Sequence, residues 1–329
     1  MRTPLTGALA AGLLTAGAVC VPPLRAQVPA PAVSKPISTY SVPRTPWGDP
    51  DLQGVWSSDE EAGVPFERPR GQTKAKVDGT ELEALLEQRE HQRAGTAPTI
   101  GGVTGAGPVH WYENWGRKSA RTSLVIDPVD GHVPPLTPEA QRRQERRPRA
   151  GGSFGAGPFD QPDDFSLYDR CITRGLPSVM FPAIYNNNTR IVQAPGSIAF
   201  TYEMIHETRV IPLDDRPFPS DRIRGYLGEA RARWEGDTLV VETRNFSEKT
   251  NYRGAGATLR LVERFRRVHK GLRYQVTVDD PHTFTRPWTA ALNLSPGTGL
   301  FEYACHEGNY AMRNMLSAAR AAEAGRKAQ

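Results

Sequence analysis

"TLRLVERFRRVHKGLRYQVTVDD", residues 258–280, decides the fold. In its second half Leu272, Tyr274, Val276 and Val278 alternate with Arg273, Gln275, Thr277 and Asp279. Successive side chains of a strand point to opposite faces, so this pattern wets one face and buries the other. Lys270-Gly271 supplies a turn between this strand and the one before it. Working outward, the same texture begins near Thr189. "TRIVQAP", "SIAFTYEMIH", "TRVIPL", "RARWEGDTLVVETRNF", "RPWTAALNL" and "LFEYACHE" follow with short breaks, among them Pro195-Gly196, Gly236-Asp237 and Pro296-Gly297. Consecutive strands with short turns build an antiparallel meander, and closing it into a barrel removes exposed edges. The predicted fold class is therefore mainly β.

The segments before Thr189 are of another kind. Thr80-Glu81-Leu82-Glu83 forms a capping box that predicts a helix over about 81–93. "SLVIDPVDGHV" (123–133) predicts a hairpin, and Thr137-Pro138-Glu139 predicts the start of a short helix. That helix runs into "RRQERRPR" (142–149), which reads as a solvated helix end and loop. Gly-rich stretches separate these pieces, so the N-terminal third is expected to wrap the β unit. Arg313 to about Gly325 is Ala-rich and predicts a C-terminal helix.

The first 26 residues read as a secretory signal. Arg2 is followed by a small apolar run from Leu5 to Val21, and Leu24-Arg25-Ala26 offers a small-residue cleavage site before Gln27. Lipid modification at Cys20 is the alternative, against which Val19 is bulkier than such a site normally has. Residues 27–43 are Pro-rich and predict an extended tether, leaving 44–329 as one barrel-like domain with Gly/Pro-rich insertions. Loss of Arg2 and Arg25 lowers the formal charge from +5 to +3. That mild balance, together with export, argues against nucleic acid as a partner. No segment of the mature chain is long and apolar enough to span a bilayer as a helix. The expected location is periplasmic or secreted.

Cys20 leaves with the signal, so Cys171 and Cys305 remain. Two thiols in an oxidising compartment predict one disulfide. It closes a loop of about 130 residues, for which the chain-entropy model gives roughly 4–5 kcal/mol.

The chemistry-bearing residues gather near strand ends. On "SIAFTYEMIHETR" the period places Ile198, Phe200, Tyr202, Met204 and His206 on one face, with Glu203, Glu207 and Arg209 on the other. On "LFEYACHEGNY" Glu302, Ala304 and His306 face away from Phe301, Tyr303, Cys305 and Glu307. His206 and His306 are each followed by Glu, which suggests acid/base work at one cavity mouth with Glu307 and Tyr185 nearby. A divalent metal held by both His and a carboxylate competes with this, as does a structural hydrogen bond for each His. No H-x-H or H-x-x-x-H spacing supports the metal, and no organic cofactor is expected. "YNNNTR" (185–190) is a tight loop or a polar rim in which Asn187 meets a hydroxyl-rich ligand. Arg170 and Arg174 flank the expected disulfide, where a carboxylate could be bound, and Arg209 is a further candidate for substrate. Trp111, Tyr112 and Trp115 could stack on a sugar or anchor a loop. Nucleophile-elbow, phosphate-loop, dinucleotide and H-E-x-x-H signatures are absent.

Six stretches together, "PWGDPDLQGVW", "YNNN", "EMIHETRVIPLD", "RWEGDTLVVET", "RPWTA" and "YACHEGNY", resemble a family of exported bacterial proteins common in soil bacteria and uncharacterised. The resemblance covers roughly residues 44–320; it implies secretion and a mostly β domain and carries no activity. Gly54-Val55-Trp56 is similar to the G-x-W that opens the first strand of lipocalin-like barrels, and so implies a lipocalin-like closure of the meander. The functional expectation is an exported enzyme acting on a small polar or glycosidic molecule by acid/base chemistry, as a lyase, isomerase or hydrolase. A non-catalytic binder of a small or lipidic ligand is the alternative, and an envelope assembly protein a third.

Overall fold

The computed structural model describes residues 40–96, 119–146, 159–183, 185–250, 252–308 and 310–327. The expected signal, most of the tether, and Trp111, Tyr112 and Trp115 lie outside them. The described residues hold ten strands: β1 (Gly54–Ser57), β2 (Val125–Asp127), β3 (Asn188–Ala194), β4 (Ser197–Tyr202), β5 (Thr208–Pro212), β6 (Glu229–Glu235), β7 (Thr238–Arg244), β8 (Arg260–Val268), β9 (Gly271–Asp279) and β10 (Trp288–Pro296). Nine of them run in the order β5-β4-β3-β1-β10-β9-β8-β7-β6, every pair antiparallel. Setting β2 aside, this is chain order around a ring, with the last strand returning to the first. The protein is a nearly closed, up-and-down antiparallel barrel. Its seam lies between β5 and β6, which sit side by side with no ladder between them.

The opening stretch folds as its alternation demands. Leu272, Tyr274, Val276 and Val278 are buried, and the turn into β9 needs a glycine: a Cβ on Gly271 would lie 2.2 Å from the Leu294 carbonyl oxygen. Phe200, Phe265 and Tyr274 pack ring against ring within the core, and Trp288 anchors its far end against Phe66, Tyr252 and Phe284. Trp56 of the G-x-W stretch is buried and donates its indole N–H to the Leu52 carbonyl at 2.9 Å.

Among the described residues three α-helices accompany the barrel: α1 (Gly79–Thr96), α2 (Pro138–Arg146) and α3 (Ala311–Lys327). Thr137 caps α2 as expected, its hydroxyl accepting the Ala140 N–H at 3.1 Å.

Three expectations are corrected. The segment 123–133 is not a hairpin; Val125 and Asp127 instead add β2 to β10 at an irregularity between Thr289 and Ala290. "LFEYACHE" is not a strand. Residues 301–306 are coil, because β10 already has β9 and β1 on its two sides and the sheet's unpaired edges lie elsewhere. The face assignment across residues 202–209 also fails. Ile205 and His206 take left-handed backbone (φ 61 and 46), which breaks the strand and resets its phase. Arg209, expected to meet substrate, is consequently buried within the barrel and forks onto buried Glu263 at 2.7 and 2.9 Å.

Candidate ligand-binding cleft and tyrosine cluster

Antiparallel registry gathers one set of strand ends at a single rim: the starts of β3, β5, β6, β8 and β10, and the ends of β1, β4, β7 and β9. Segments leaving that rim, with residues 163–178 and α2, surround a cleft of about 740 Å³. Such a volume suits a small molecule of several rings or sugar units.

The cleft wall carries cations, hydroxyls and three carboxylates, Asp163, Asp164 and Glu248. Arg143, Arg170, Arg174 and Lys249 line it together with Tyr168, Tyr226 and Tyr252. Two of the cations are committed. Arg143 pairs with Glu139 at 2.9 Å, and Arg170 pairs with Asp163 at 2.6 Å. Among the described residues Arg174 and Lys249 have no carboxylate within ion-pair distance. Arg174 lies over the Tyr168 ring at 5.6 Å, a cation–π contact that fixes its approach without neutralising it.

Behind Tyr168 the hydroxyls converge. The Tyr168 hydroxyl lies 3.0 Å from that of Tyr303, 3.4 Å from that of Tyr185 and 3.5 Å from the Met204 sulfur. Burial pushes all three phenol pKa values up, Tyr185 to about 12 with a further contribution from its hydrogen bond to Tyr168. The Cys171–Cys305 disulfide, with 5.8 Å between Cα atoms, stands beside this cluster and ties the Tyr168 loop to the Tyr303 segment.

The sequence-derived candidates do not share one place. Arg170 lines the cleft, and Tyr185 belongs to the hydroxyl cluster. His206 is exposed, with Nδ1 3.0 Å from the Tyr303 carbonyl oxygen, which brings it to the same end of the barrel as the segment carrying His306. His306 and Glu307 are themselves exposed, and neither lines the cleft. Asn187 is occupied as a loop clamp: its amide donates to Asp59 and the Ala183 carbonyl at 2.8 Å each, and its oxygen accepts the Ala183 N–H. Glu207, half-buried, accepts the Thr173 hydroxyl at 2.6 Å, and burial raises its carboxyl pKa.

Tyr168, Tyr303 and Lys249 were not singled out from the sequence. Only the expected disulfide pointed toward the first two, since residues flanking bridged cysteines must be neighbours. Among the described residues no group of three His, Cys, Asp or Glu side chains is placed to hold a metal, and no helix is long and apolar enough to cross a membrane.

No protein-family model matches the chain, and no curated protein matches it in sequence. Among solved structures, a crystal structure of a mutant of the fluorescent protein UnaG is similar at 14% identity, covering 40% of this chain and 86% of that one with a TM-score of 0.22. A likeness that slight carries no argument about either fold or ligand.

Proposed function

We propose that the protein is exported and binds a small, negatively charged, hydroxyl-rich molecule in the cleft. The observation that carries this reading is the pair Arg174 and Lys249, cations without carboxylate partners among the described residues, on a wall built with tyrosines. A guanidinium held over a ring is pre-oriented for a carboxylate or phosphate, and phenols suit the hydroxyls of the same ligand. The disulfide fits an oxidising compartment. Binding is favoured over the acid/base enzyme expected from the sequence because His206, His306 and Glu307 lie outside the cleft lining. The enzymatic reading keeps one support: Tyr168 belongs both to the cleft and to the hydroxyl cluster, so it could deliver a proton to a bound ligand.

Calorimetry against a panel of sugar acids, sugar phosphates and their neutral counterparts tests the proposal. Acidic members are expected to bind, and Arg174→Ala with Lys249→Ala to weaken them at least about ten-fold. Equal affinity for the neutral counterparts would refute it. Conversion of the bound ligand, followed by NMR and lost in Tyr168→Phe, would move the assignment to an enzyme.

A further inference from the structure

We infer that Tyr168, Tyr185 and Tyr303 form a binding site for a trivalent hard metal cation, with ferric iron as the natural probe. The three phenols come from three separate segments, and the Tyr185 and Tyr303 oxygens both lie within 3.4 Å of the Tyr168 oxygen. The Tyr168 oxygen lies 3.0 Å from that of Tyr303 and 3.4 Å from that of Tyr185. A small hard cation binds oxygen at about 2.0–2.1 Å. At that bond length these two separations would subtend roughly 95° and 110° at the metal, within the range that cis ligands of a compact oxygen site adopt. A cation shared by Tyr168 and either neighbour is therefore compatible with the oxygen separations already present.

The scaffold fixes this arrangement before any ligand arrives. Cys171 follows Tyr168 by three residues, Cys305 follows Tyr303 by two, and the bridge between them holds two of the three donors in register. Pre-set donors on constrained segments are what an ion site requires.

Charge selects the valence. Binding releases three phenol protons to solvent, M³⁺ plus three ArOH giving M(OAr)₃ plus three H⁺, so the metal with its three phenolates is neutral. A cation of high charge density displaces phenol protons most readily, and hard anionic oxygen is the donor such ions prefer. Arg174 lies over the Tyr168 ring at 5.6 Å, a positive charge close to the site.

The experiment is titration of the full exported chain with ferric citrate. One equivalent should produce the visible absorption of phenolate-to-iron charge transfer, and one iron per chain should survive desalting. Tyr168→Phe and Tyr303→Phe should each lose the band and retain about ten-fold less iron or worse, with circular dichroism unchanged. Lys249→Ala should weaken anion binding in the cleft and leave the band intact, so the two sites are tested separately. No band in the wild type overturns the inference, and so does a band that persists in both variants. Should a variant fail to fold, the wild-type titration alone decides.

Discussion

Arg209 on β5 and Glu263 on β8 meet across the interior of the barrel, joined by two hydrogen bonds of 2.7 and 2.9 Å. Tyr274 donates to the same carboxylate at 3.0 Å, and Phe200 and Tyr202 present their rings to the guanidinium. Burial works against the charge on Arg209, but Glu263 outweighs it and holds the guanidinium more firmly protonated than usual. Breaking such a pair strands a charge, whereas removing both partners does not. Glu263→Gln and Arg209→Met should each cost about 3–5 kcal/mol, and Arg209→Met with Glu263→Leu should cost far less than their sum. Urea unfolding of the three variants checks this; additive losses would contradict it.

The disulfide closes a sequence separation of 134 residues. Cys171→Ser with Cys305→Ser should lower stability by about 2–5 kcal/mol. The same change should free the Tyr303 segment, visible as faster amide exchange across residues 299–310 than in the wild type. Unchanged exchange would mean that hydrogen bonds alone hold that segment.

Glu207 gives a pH dependence of defined sign. Its folded pKa is raised above the ordinary 4.5 by burial, with Thr173 and Arg209 opposing. The folded state therefore holds the proton more tightly than the unfolded one. Its contribution is fully present below the ordinary carboxylate pKa and is lost as pH rises through the raised folded value. Unfolding free energies of wild type and Glu207→Gln, measured from pH 4 to 8, should diverge in that direction. Parallel curves would remove Glu207 as the source.

His206→Ala and His306→Ala separate the cleft from the sequence-based site. His306 is exposed, so its loss should change stability by less than about 0.5 kcal/mol. His206 gives up one hydrogen bond at the surface, worth about 1 kcal/mol. Neither should alter ligand affinity in the cleft. A large loss of binding in either would restore the histidines to the site.

The barrel was legible in the sequence where one face is buried along a whole strand, as in β9, and where Gly marks a turn between neighbours. Residues 301–306 show why pattern alone misleads. They alternate as a strand does, yet Glu203 takes the Phe301 N–H at 2.9 Å and β10, the strand before them, is already paired on both sides. Arg209 was misplaced for a different reason: the left-handed pair Ile205 and His206 shifts the period, and non-glycine residues seldom announce that conformation. The tyrosine cluster was out of reach because its members lie 17 and 135 residues apart, with only the cysteines hinting that they meet.

The seam between β5 and β6 leaves two strand edges facing each other, and an unclaimed edge is where a second chain could add itself. Several features blunt that hazard. β5 is five residues long and ends on Pro212, β6 alternates Arg231 and Arg233 with Ala residues between Glu229 and Glu235, and Arg231 reaches back to the Arg216 and Pro217 carbonyls at 3.4 and 3.3 Å. Arg209 adds a mechanical cost, since β5 cannot swing outward without drawing its guanidinium off Glu263. The unlaced side of the barrel is thus tethered from within, and its resistance to strand exchange between molecules rests on a charge pair rather than on a hydrogen-bonded ladder.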